Sequence, residues 1–194
     1  MLNRIGFLLV SVLSFAGCLL AQSEHAASSA TPILVGAEFS TFNSDWGCNS
    51  SAPFACWGNQ LNGLGVVGDV NHVLGKMGVE GEARWLRWGG NGDRLSQSNY
   101  LIGPRYPFYR LGSLTFQVKL PLGVSHMSST SLGSGNYFTL APGGTVEYRL
   151  QKRITARLGY EYQVWPSFSG KPNLPNNGLT PNGFSIGASY QLLR

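Results

Sequence analysis

Apolar and polar residues alternate along most of the chain, beginning at Ile33 and continuing almost to the last residue. In a clear example, Leu114, Phe116 and Val118 alternate with polar residues. A period of two places successive side chains on opposite faces of an extended strand. The pattern is found in eight segments, which are 33–40, 64–71, 79–85, 99–106, 114–120, 138–149, 154–163 and 184–192. The sequence therefore predicts eight β-strands, each with one apolar and one polar face.

The connections between these strands alternate in length. Long stretches rich in Gly, Asn, Ser and Pro lie near 43–60, 88–97, 126–136 and 166–181. Short turns lie near 75–76, 110–113 and 151–153. A β-barrel that spans a membrane has short turns at one end and longer loops at the other. The pattern predicts an all-β fold, an eight-stranded antiparallel up-and-down transmembrane β-barrel.

A secreted lipocalin-like barrel is the alternative, because it would also have eight alternating strands but with the apolar face inside. The asymmetry of the loops favours the membrane form. Aromatic residues favour it as well, since they lie on or near the apolar face, often toward strand ends, as a girdle at the membrane surfaces would. The predicted aromatic girdle consists of Trp85, Tyr106, Tyr160, Tyr162, Trp165 and Tyr190.

The first residues have the order of a secretory signal peptide, with a basic start at 1–4, an almost uncharged run at 5–20 and a small, polar exit from Ala21. The apolar run is short for a spanning helix, which needs about 20 residues. Residues 15–18, Phe-Ala-Gly-Cys, loosely resemble a lipoprotein cleavage box, which is the alternative to cleavage after Ala21. The predicted organisation is a signal peptide at 1–21, a short periplasmic N-terminal segment at 22–31 and an outer-membrane barrel at 32–194.

The composition excludes several classes of protein. Charged residues make up only 12% of the chain and glycine is abundant at 26 residues, whereas soluble domains carry about 25% charged residues. The apolar segments after the signal are too interrupted for a helical membrane protein. The net charge is +5, but the basic residues are scattered and form no run. The sequence therefore gives no indication of nucleic-acid binding.

Cys48 and Cys56 are the only cysteines that follow the predicted signal peptide. An even pair in an exported protein, in a polar stretch, predicts a disulfide that closes a small loop. Two free thiols are the alternative. No further Cys or His lies close enough to suggest a metal site.

Four segments carry a resemblance to a known family. Residues 99–106 (NYLIGPRY) are similar to a strand of the bacterial outer-membrane β-barrel domain family, which includes OmpA-type transmembrane domains and small porin-like proteins. Residues 141–149 (APGGTVEYR) and 158–162 (LGYEY) are similar to its sixth and seventh strands, and 182–190 (NGFSIGASY) resembles its closing strand. These motifs are architectural and carry no chemistry. The resemblance implies contact with outer-membrane lipid and lipopolysaccharide, and an even number of strands places both termini in the periplasm.

The end of the chain departs from the pattern of this family. Its barrels usually end on an aromatic residue that the barrel-assembly machinery recognises, whereas this chain ends Leu192-Leu193-Arg194. Tyr190 is the candidate substitute. The machinery is still the expected partner during biogenesis, and the departure bears on how it recognises the chain.

The polar faces of the predicted strands carry most of the charged residues, which a barrel would hold inside. They are the acids Glu38, Asp69, Glu80, Glu82, Glu147 and Glu161 and the bases Arg84, Arg105, Lys119, Arg149 and Arg157. An eight-stranded barrel is just wide enough for side chains to fill it, and buried charges must be paired. We therefore expect a lumen network of ion pairs rather than a catalytic pair of carboxylates. Such a filling argues against an open diffusion pore.

The short turns predict which of these charges lie opposite one another. The predicted pairs are Glu147 with Arg157, Asp69 with Glu82, and Arg105 with Lys119. Two of the pairs are like-charged and unfavourable alone. We therefore expect one compensated cluster, in which Glu82 is adjacent to Arg105 and in which Asp69 and Lys119 complete the set.

One fragment resembles part of an enzyme site. His126-Met127-Ser128 is faintly similar to the His-x-Ser of outer-membrane lipid A deacylases, with both residues on the membrane-facing side of their strand. The Asn that follows the Ser in that family is Ser129 here, and no acidic residue occurs between Asp93 and Glu147 to orient the His. The sequence therefore predicts no enzyme, no metal and no cofactor.

The functional expectation is a non-enzymatic barrel with a structural or surface-interaction role through its external loops. A narrow pore for ions or small solutes is the first alternative, and a lipid-modifying outer-membrane enzyme is the second. The sequence does not identify a ligand or a partner of the loops.

Overall fold

The computed structural model of the protein describes residues 32–43, 60–90, 93–129, 133–167 and 178–193. The predicted signal peptide and the predicted disulfide between Cys48 and Cys56 lie outside the described residues. Among the described residues, no helix combines the length and the apolar character needed to cross a membrane.

Ten strand segments are described. They are β1 (Ile33–Asn43), β2 (Gln60–Leu74), β3 (Met77–Gly90), β4 (Asp93–Leu111), β5 (Leu114–Lys119), β6 (Leu122–Ser129), β7 (Gly133–Leu140), β8 (Gly143–Arg149), β9 (Ile154–Tyr162) and β10 (Asn182–Leu193). All of their pairings are antiparallel, and β1 pairs with both β2 and β10. The sheet closes on itself because β3 pairs with β4. The result is a closed β-barrel.

The ten segments form eight barrel strands, because two strands are each divided in two. The first half of β4 pairs with β6 and its second half pairs with β5. In the same way β6 pairs with β7 while β5 pairs with β8. The fifth barrel strand is therefore β5 followed by β6, and the sixth is β7 followed by β8, which confirms the predicted eight-stranded antiparallel architecture.

Proline accounts for both divisions. Pro121 lies between β5 and β6, and Pro142 lies between β7 and β8. Proline has no N–H to donate to a neighbouring strand, so regular pairing stops there. Its carbonyl oxygen still accepts, from the Ala141 amide at 2.9 Å for Pro121 and from the Tyr162 amide at 2.9 Å for Pro142. The wall of the barrel therefore continues across each interruption.

The register of β2 against β3 differs from the prediction. Asp69 lies opposite Glu80, and Glu82 lies opposite Val67. Between Val70 and Leu74 the strand β2 has two more residues than β3 has between their partners, and His72 in that stretch has a φ of 58°. A bulge of this size shifts the pairing by two residues while keeping every side chain on its face. The predicted pair of Asp69 with Glu82 was therefore wrong, although the true pair is also two acids.

The other two predicted pairs are present. Glu147 lies opposite Arg157, as the turn at 151–153 predicts. Arg105 lies opposite Lys119, but this pairing results from two deviations from the predicted turn and strand that compensate each other.

At the end of β4 a turn that is shorter than predicted and a bulge shift the strand register in opposite directions, so the two shifts cancel. The turn is tighter than predicted, with Leu111 opposite Leu114, while a bulge at Phe108 supplies one extra residue. Beyond that bulge Arg110 lies opposite Thr115, whose side chain belongs to the inner face.

Two of the predicted long loops are mostly strand. β3 continues to Gly90 and β4 begins at Asp93, so most of 88–97 is paired. β6 ends at Ser129 and β7 begins at Gly133, which leaves few residues of 126–136 unpaired. Backbone pairing continues through these Ser- and Gly-rich stretches because ladder hydrogen bonds do not require apolar side chains.

The apolar faces of the strands point outward. Leu64, Ile102 and Ile186 are 66%, 58% and 62% exposed, while the charged residues of the same strands are buried. Soluble proteins rarely expose an apolar surface that runs around the whole molecule. This is the reverse of a lipocalin-like barrel, and it suits a barrel surrounded by lipid.

Candidate functional site

Charged side chains from almost every wall of the barrel meet in its lumen. The buried members are the acids Glu38, Asp69, Glu80, Glu82, Glu147 and Glu161 and the bases Arg84, Arg105, Lys119 and Arg157. Ion pairs join all of them into one network. We call this set the lumen network. Its carboxylates outnumber its cations.

Arg84 holds the part of the lumen network nearest the loops. Its Nη2 lies 3.2 Å from Glu38 Oε1 and 3.0 Å from Glu82 Oε1, and its Nη1 lies 3.1 Å from Glu161 Oε1. The guanidinium also sits over the ring of Phe42, 4.5 Å from the ring centroid. The three carboxylates and the aromatic ring together restrict the orientation of this buried guanidinium.

Lys119 lies at the middle of the lumen network. Its Nζ is 2.9 Å from Glu80 Oε1, 2.9 Å from Glu82 Oε2 and 3.0 Å from Glu161 Oε2. The three N–H groups of an ammonium suit three carboxylate partners. Lys119 therefore links carboxylates from two different walls of the barrel.

Arg105 and Arg157 hold the part nearest the short turns. Arg157 contacts Asp69 Oδ2 at 2.8 Å and Glu80 Oε2 at 2.6 Å. Arg105 pairs with Asp69 and lies 2.8 Å from Glu147 Oε1. The predicted adjacency of Glu82 and Arg105 was wrong, because β3 and β4 are staggered, with Arg105 opposite Gly78 and Glu82 opposite Leu101. Arg105 therefore contacts Asp69 and Glu80, whereas Glu82 contacts Arg84 and Lys119.

Side-chain amides, which were not among the predicted site residues, complete the coordination of the carboxylates. Gln117 Nε2 donates to Glu147 Oε2 at 2.7 Å, and Gln163 Nε2 donates to Glu161 Oε1 at 2.7 Å. Both glutamines lie on the polar face of their strands. Position on that face was the available signal, because a buried carboxylate has more acceptor sites than its cation partners fill and needs further donors.

Arg149 does not belong to the buried network. It ends β8 at the turn end of the barrel and is exposed. Its side chain lines a cavity of about 580 Å³ that opens at this end, together with Lys76, Arg110 and Lys152. We call this cavity the turn-end vestibule.

The loop end of the lumen is closed by apolar side chains. They are Phe42, Leu61, Leu86, Leu95, Met127, Trp165 and Leu179. Trp165, predicted as part of the girdle, is 0% exposed within this cluster. It stacks on Tyr137 at 5.7 Å between centroids, and its Nε1 donates to Gln163 Oε1 at 3.0 Å. The prediction was wrong because Trp165 has the parity of the inward-facing Gln163.

The other five predicted girdle residues are exposed on the outer face. They are Trp85, Tyr106, Tyr160, Tyr162 and Tyr190. Trp85 Nε1 donates to the hydroxyl of Tyr100 at 3.2 Å, and Arg153 Nη1 donates to the hydroxyl of Tyr190 at 3.1 Å. Rings with one apolar side and one hydrogen-bonded end suit a membrane surface.

The described charges are separated by sign. Every acidic side chain that the structure describes is buried in the lumen. The exposed basic side chains lie at the two rims, with Arg87 and Arg94 at the loop end and Lys76, Arg110, Arg149, Lys152 and Arg153 at the turn end.

The His126-Met127-Ser128 fragment does not assemble a hydrolytic site among the described residues. The only contact described for the His126 ring is with Asn136, where Nδ1 lies 2.7 Å from Oδ1. A general base of this kind needs an orienting partner and a nucleophile within hydrogen-bond reach. The arrangement is that of a hydrogen-bonded pair on neighbouring strands.

Comparison with known proteins identifies the architecture. A family model for the outer membrane protein beta-barrel domain matches residues 8–191. A sequence search of curated proteins gave no significant match. Similar solved structures include Neisserial surface protein A, with a TM-score of 0.58 at 13% identity over 85% of this chain and 100% of that one. They also include the outer membrane protein OprG from Pseudomonas aeruginosa, with a TM-score of 0.51 at 15% identity over 84% of this chain and 96% of that one.

Proposed function

Because this chain belongs to the outer membrane protein beta-barrel domain family, we propose that it is a non-enzymatic barrel whose external loops serve a structural or surface-interaction role. The family and the similar structures point to the bacterial outer membrane. In this proposal the short turns face the periplasm, the loops face outward, and lipid and lipopolysaccharide surround the apolar outer face.

The filled lumen is the observation that carries the proposal. Arg84 is 1% exposed and spans between three carboxylates, and Trp165 is fully buried at the loop end. A solute would have to displace both the apolar cluster and several ion pairs to cross. A barrel whose inside is occupied in this way acts through its outer surfaces.

Conductance in a planar lipid bilayer tests this proposal. The refolded chain should insert and give no ohmic steps, because the lumen network and the apolar cluster fill the lumen. Successful insertion is checked by heat-modifiable gel mobility of the same preparation. Stable single-channel steps from the unaltered chain would overturn the proposal and favour the alternative of a narrow pore for ions or small solutes.

A double variant tests which of the two layers blocks the lumen, because it opens space in the lumen network and leaves the apolar cluster in place. The variant is Lys119→Ala/Glu161→Ala, which truncates both side chains of an ion pair whose Lys119 Nζ and Glu161 Oε2 lie 3.0 Å apart. Because both partners are removed together, neither is left without the other. A conducting path in this variant and silence in the unaltered chain would support the lumen network as the barrier. The narrow-pore alternative has its own support in the polar rather than apolar lining of the middle of the lumen.

A further inference from the structure

The turn-end vestibule is built by two features of the strands. The bulge at Phe108 turns Arg110 toward the interior, where it lies opposite Thr115. Arg149 ends β8 at the same height, with its amide donating to the carbonyl oxygen of Ser113 at 3.0 Å. Arg110 and Arg149 therefore line the same cavity from the two strands that flank β5.

The vestibule collects positive charge. Lys76 and Lys152, from two different turns, line it together with Arg110 and Arg149. Within the described part of the chain, none of these four side chains forms an ion pair. Like charges gathered around one space repel each other, and an anion between them relieves the repulsion.

Among the described residues that line the vestibule, the one carboxylate is already engaged. Glu147 lines the cavity, but its Oε1 is paired with Arg105 at 2.8 Å and its Oε2 accepts from Gln117 at 2.7 Å. Arg105, which also lines the cavity, pairs with Asp69 as well. Both carboxylate oxygens of Glu147 therefore have donors already, and the four outer cations are not paired with this carboxylate.

We propose that the turn-end vestibule binds a small anion with two or more phosphate groups. A cavity of about 580 Å³ has the size of a small-molecule site. Arginine presents a planar fork of donors that matches phosphate oxygens, and lysine adds a mobile positive charge. Four cations suit a multiply charged ligand better than a single carboxylate. The site needs only the barrel fold, and it does not depend on the proposed role of the loops.

Isothermal titration with inorganic pyrophosphate tests the proposal. The refolded full chain, in a neutral sugar-based detergent, should bind pyrophosphate saturably. In the double variant Arg110→Gln/Arg149→Gln the affinity should fall by at least about tenfold, since two charge-assisted contacts are lost. Heat-modifiable gel mobility shows whether each variant is folded.

A matched control separates a site from general attraction. Arg87→Gln/Arg94→Gln removes the same two charges from the loop-end rim, outside the vestibule, and should leave the affinity within about twofold. Equal weakening by both double variants would overturn the proposal, and so would the absence of saturable binding to the unaltered chain. The conductance test does not bear on either result.

The phosphate groups could belong to a lipid headgroup or to a soluble compound, and a change of the lipid around the barrel distinguishes the two. In nanodiscs of phosphatidylcholine the unaltered chain should bind pyrophosphate as it does in detergent. If discs that contain cardiolipin, whose headgroup carries two phosphate groups, weaken the binding to the unaltered chain, the vestibule takes the headgroup of an anionic lipid. If the affinity is the same in both discs, the ligand is a soluble phosphate compound.

Discussion

The buried cations inside the barrel share a larger number of buried carboxylates. Each cation of the lumen network contacts two or more carboxylates, and Arg84, Arg105 and Lys119 contact three each. Removing a cation therefore leaves several buried carboxylates without compensation, whereas removing one carboxylate relieves part of their mutual repulsion. The two kinds of substitution should differ in their effect on stability.

We expect Arg157→Gln to lower the free energy of unfolding by about 3–5 kcal/mol, because it leaves Asp69 and Glu80 with one partner fewer in a buried site. Glu38→Gln is the matched control. It leaves Arg84 paired with Glu82 and Glu161, and it should cost less than about 1 kcal/mol. Urea unfolding of the refolded proteins in lipid vesicles measures both, and equal losses would contradict the surplus of carboxylates as the cause.

Strands of this barrel approach one another closely at particular glycines. A Cβ atom added at Gly123 in β6 would meet the carbonyl oxygen of Tyr100 and the Cα of Leu101 in β4. Both are backbone atoms, so neither can turn away as a flexible side chain does. Gly68 in β2 has nothing within 4 Å of the same position. The first glycine is required by close approach, and the second is not.

We expect Gly123→Ala to destabilise the barrel by about 1–3 kcal/mol, as overpacking does elsewhere. Gly68→Ala should be neutral or stabilising by up to about 1 kcal/mol, because alanine restricts the unfolded chain. The comparison of the two variants by urea unfolding removes the general effect of adding a methyl group to a strand. Destabilisation by Gly68→Ala to the same degree would show that close approach is not the cause.

The sequence predicted the elements well and their exact pairing less well. Alternation identified eight strands and the faces that they bury, since parity survives any shift by two residues. For the same reason alternation could not reveal the bulge between Val70 and Leu74, which moved Glu80 to the place predicted for Glu82. The bulge at Phe108 was not predicted. The turn after it is shorter than predicted, and the two deviations cancel in the pairing of Arg105 with Lys119. Trp165 was misplaced when its aromatic character was given more weight than its parity.

On the scale of the whole molecule, the inside of the barrel is arranged in layers along its axis. Apolar side chains such as Phe42 and Trp165 close the loop end, the lumen network fills the middle, and the turn-end vestibule opens at the other mouth. The two ends therefore differ in chemistry as well as in the length of their connections. Which end faces the outside of the cell decides what each can meet.

We expect cysteines that replace Asn91 or Asn176 to react with a membrane-impermeant maleimide on intact cells. A cysteine at Lys152 should react only after the outer membrane is opened, because in the proposed orientation the short turns face the periplasm. The background is a variant with Cys48→Ala and Cys56→Ala, so that the native cysteines do not contribute. Asn91 and Asn176 lie outside the described residues. Labelling of Lys152→Cys alone on intact cells would invert the orientation.

The separation of charges by sign has a consequence for how the protein behaves at the bench. The isoelectric point of the sequence, about 9.3, counts all charges equally. The folded barrel hides the six acids and the four bases of the lumen network, which is an excess of acids, while it displays its rim bases. To a cation-exchange resin the folded protein is therefore a stronger cation than its sequence implies. Unfolding in urea returns the acids to the surface, so the unfolded chain leaves the resin at lower salt, and ionic retention becomes a simple record of whether the barrel has closed.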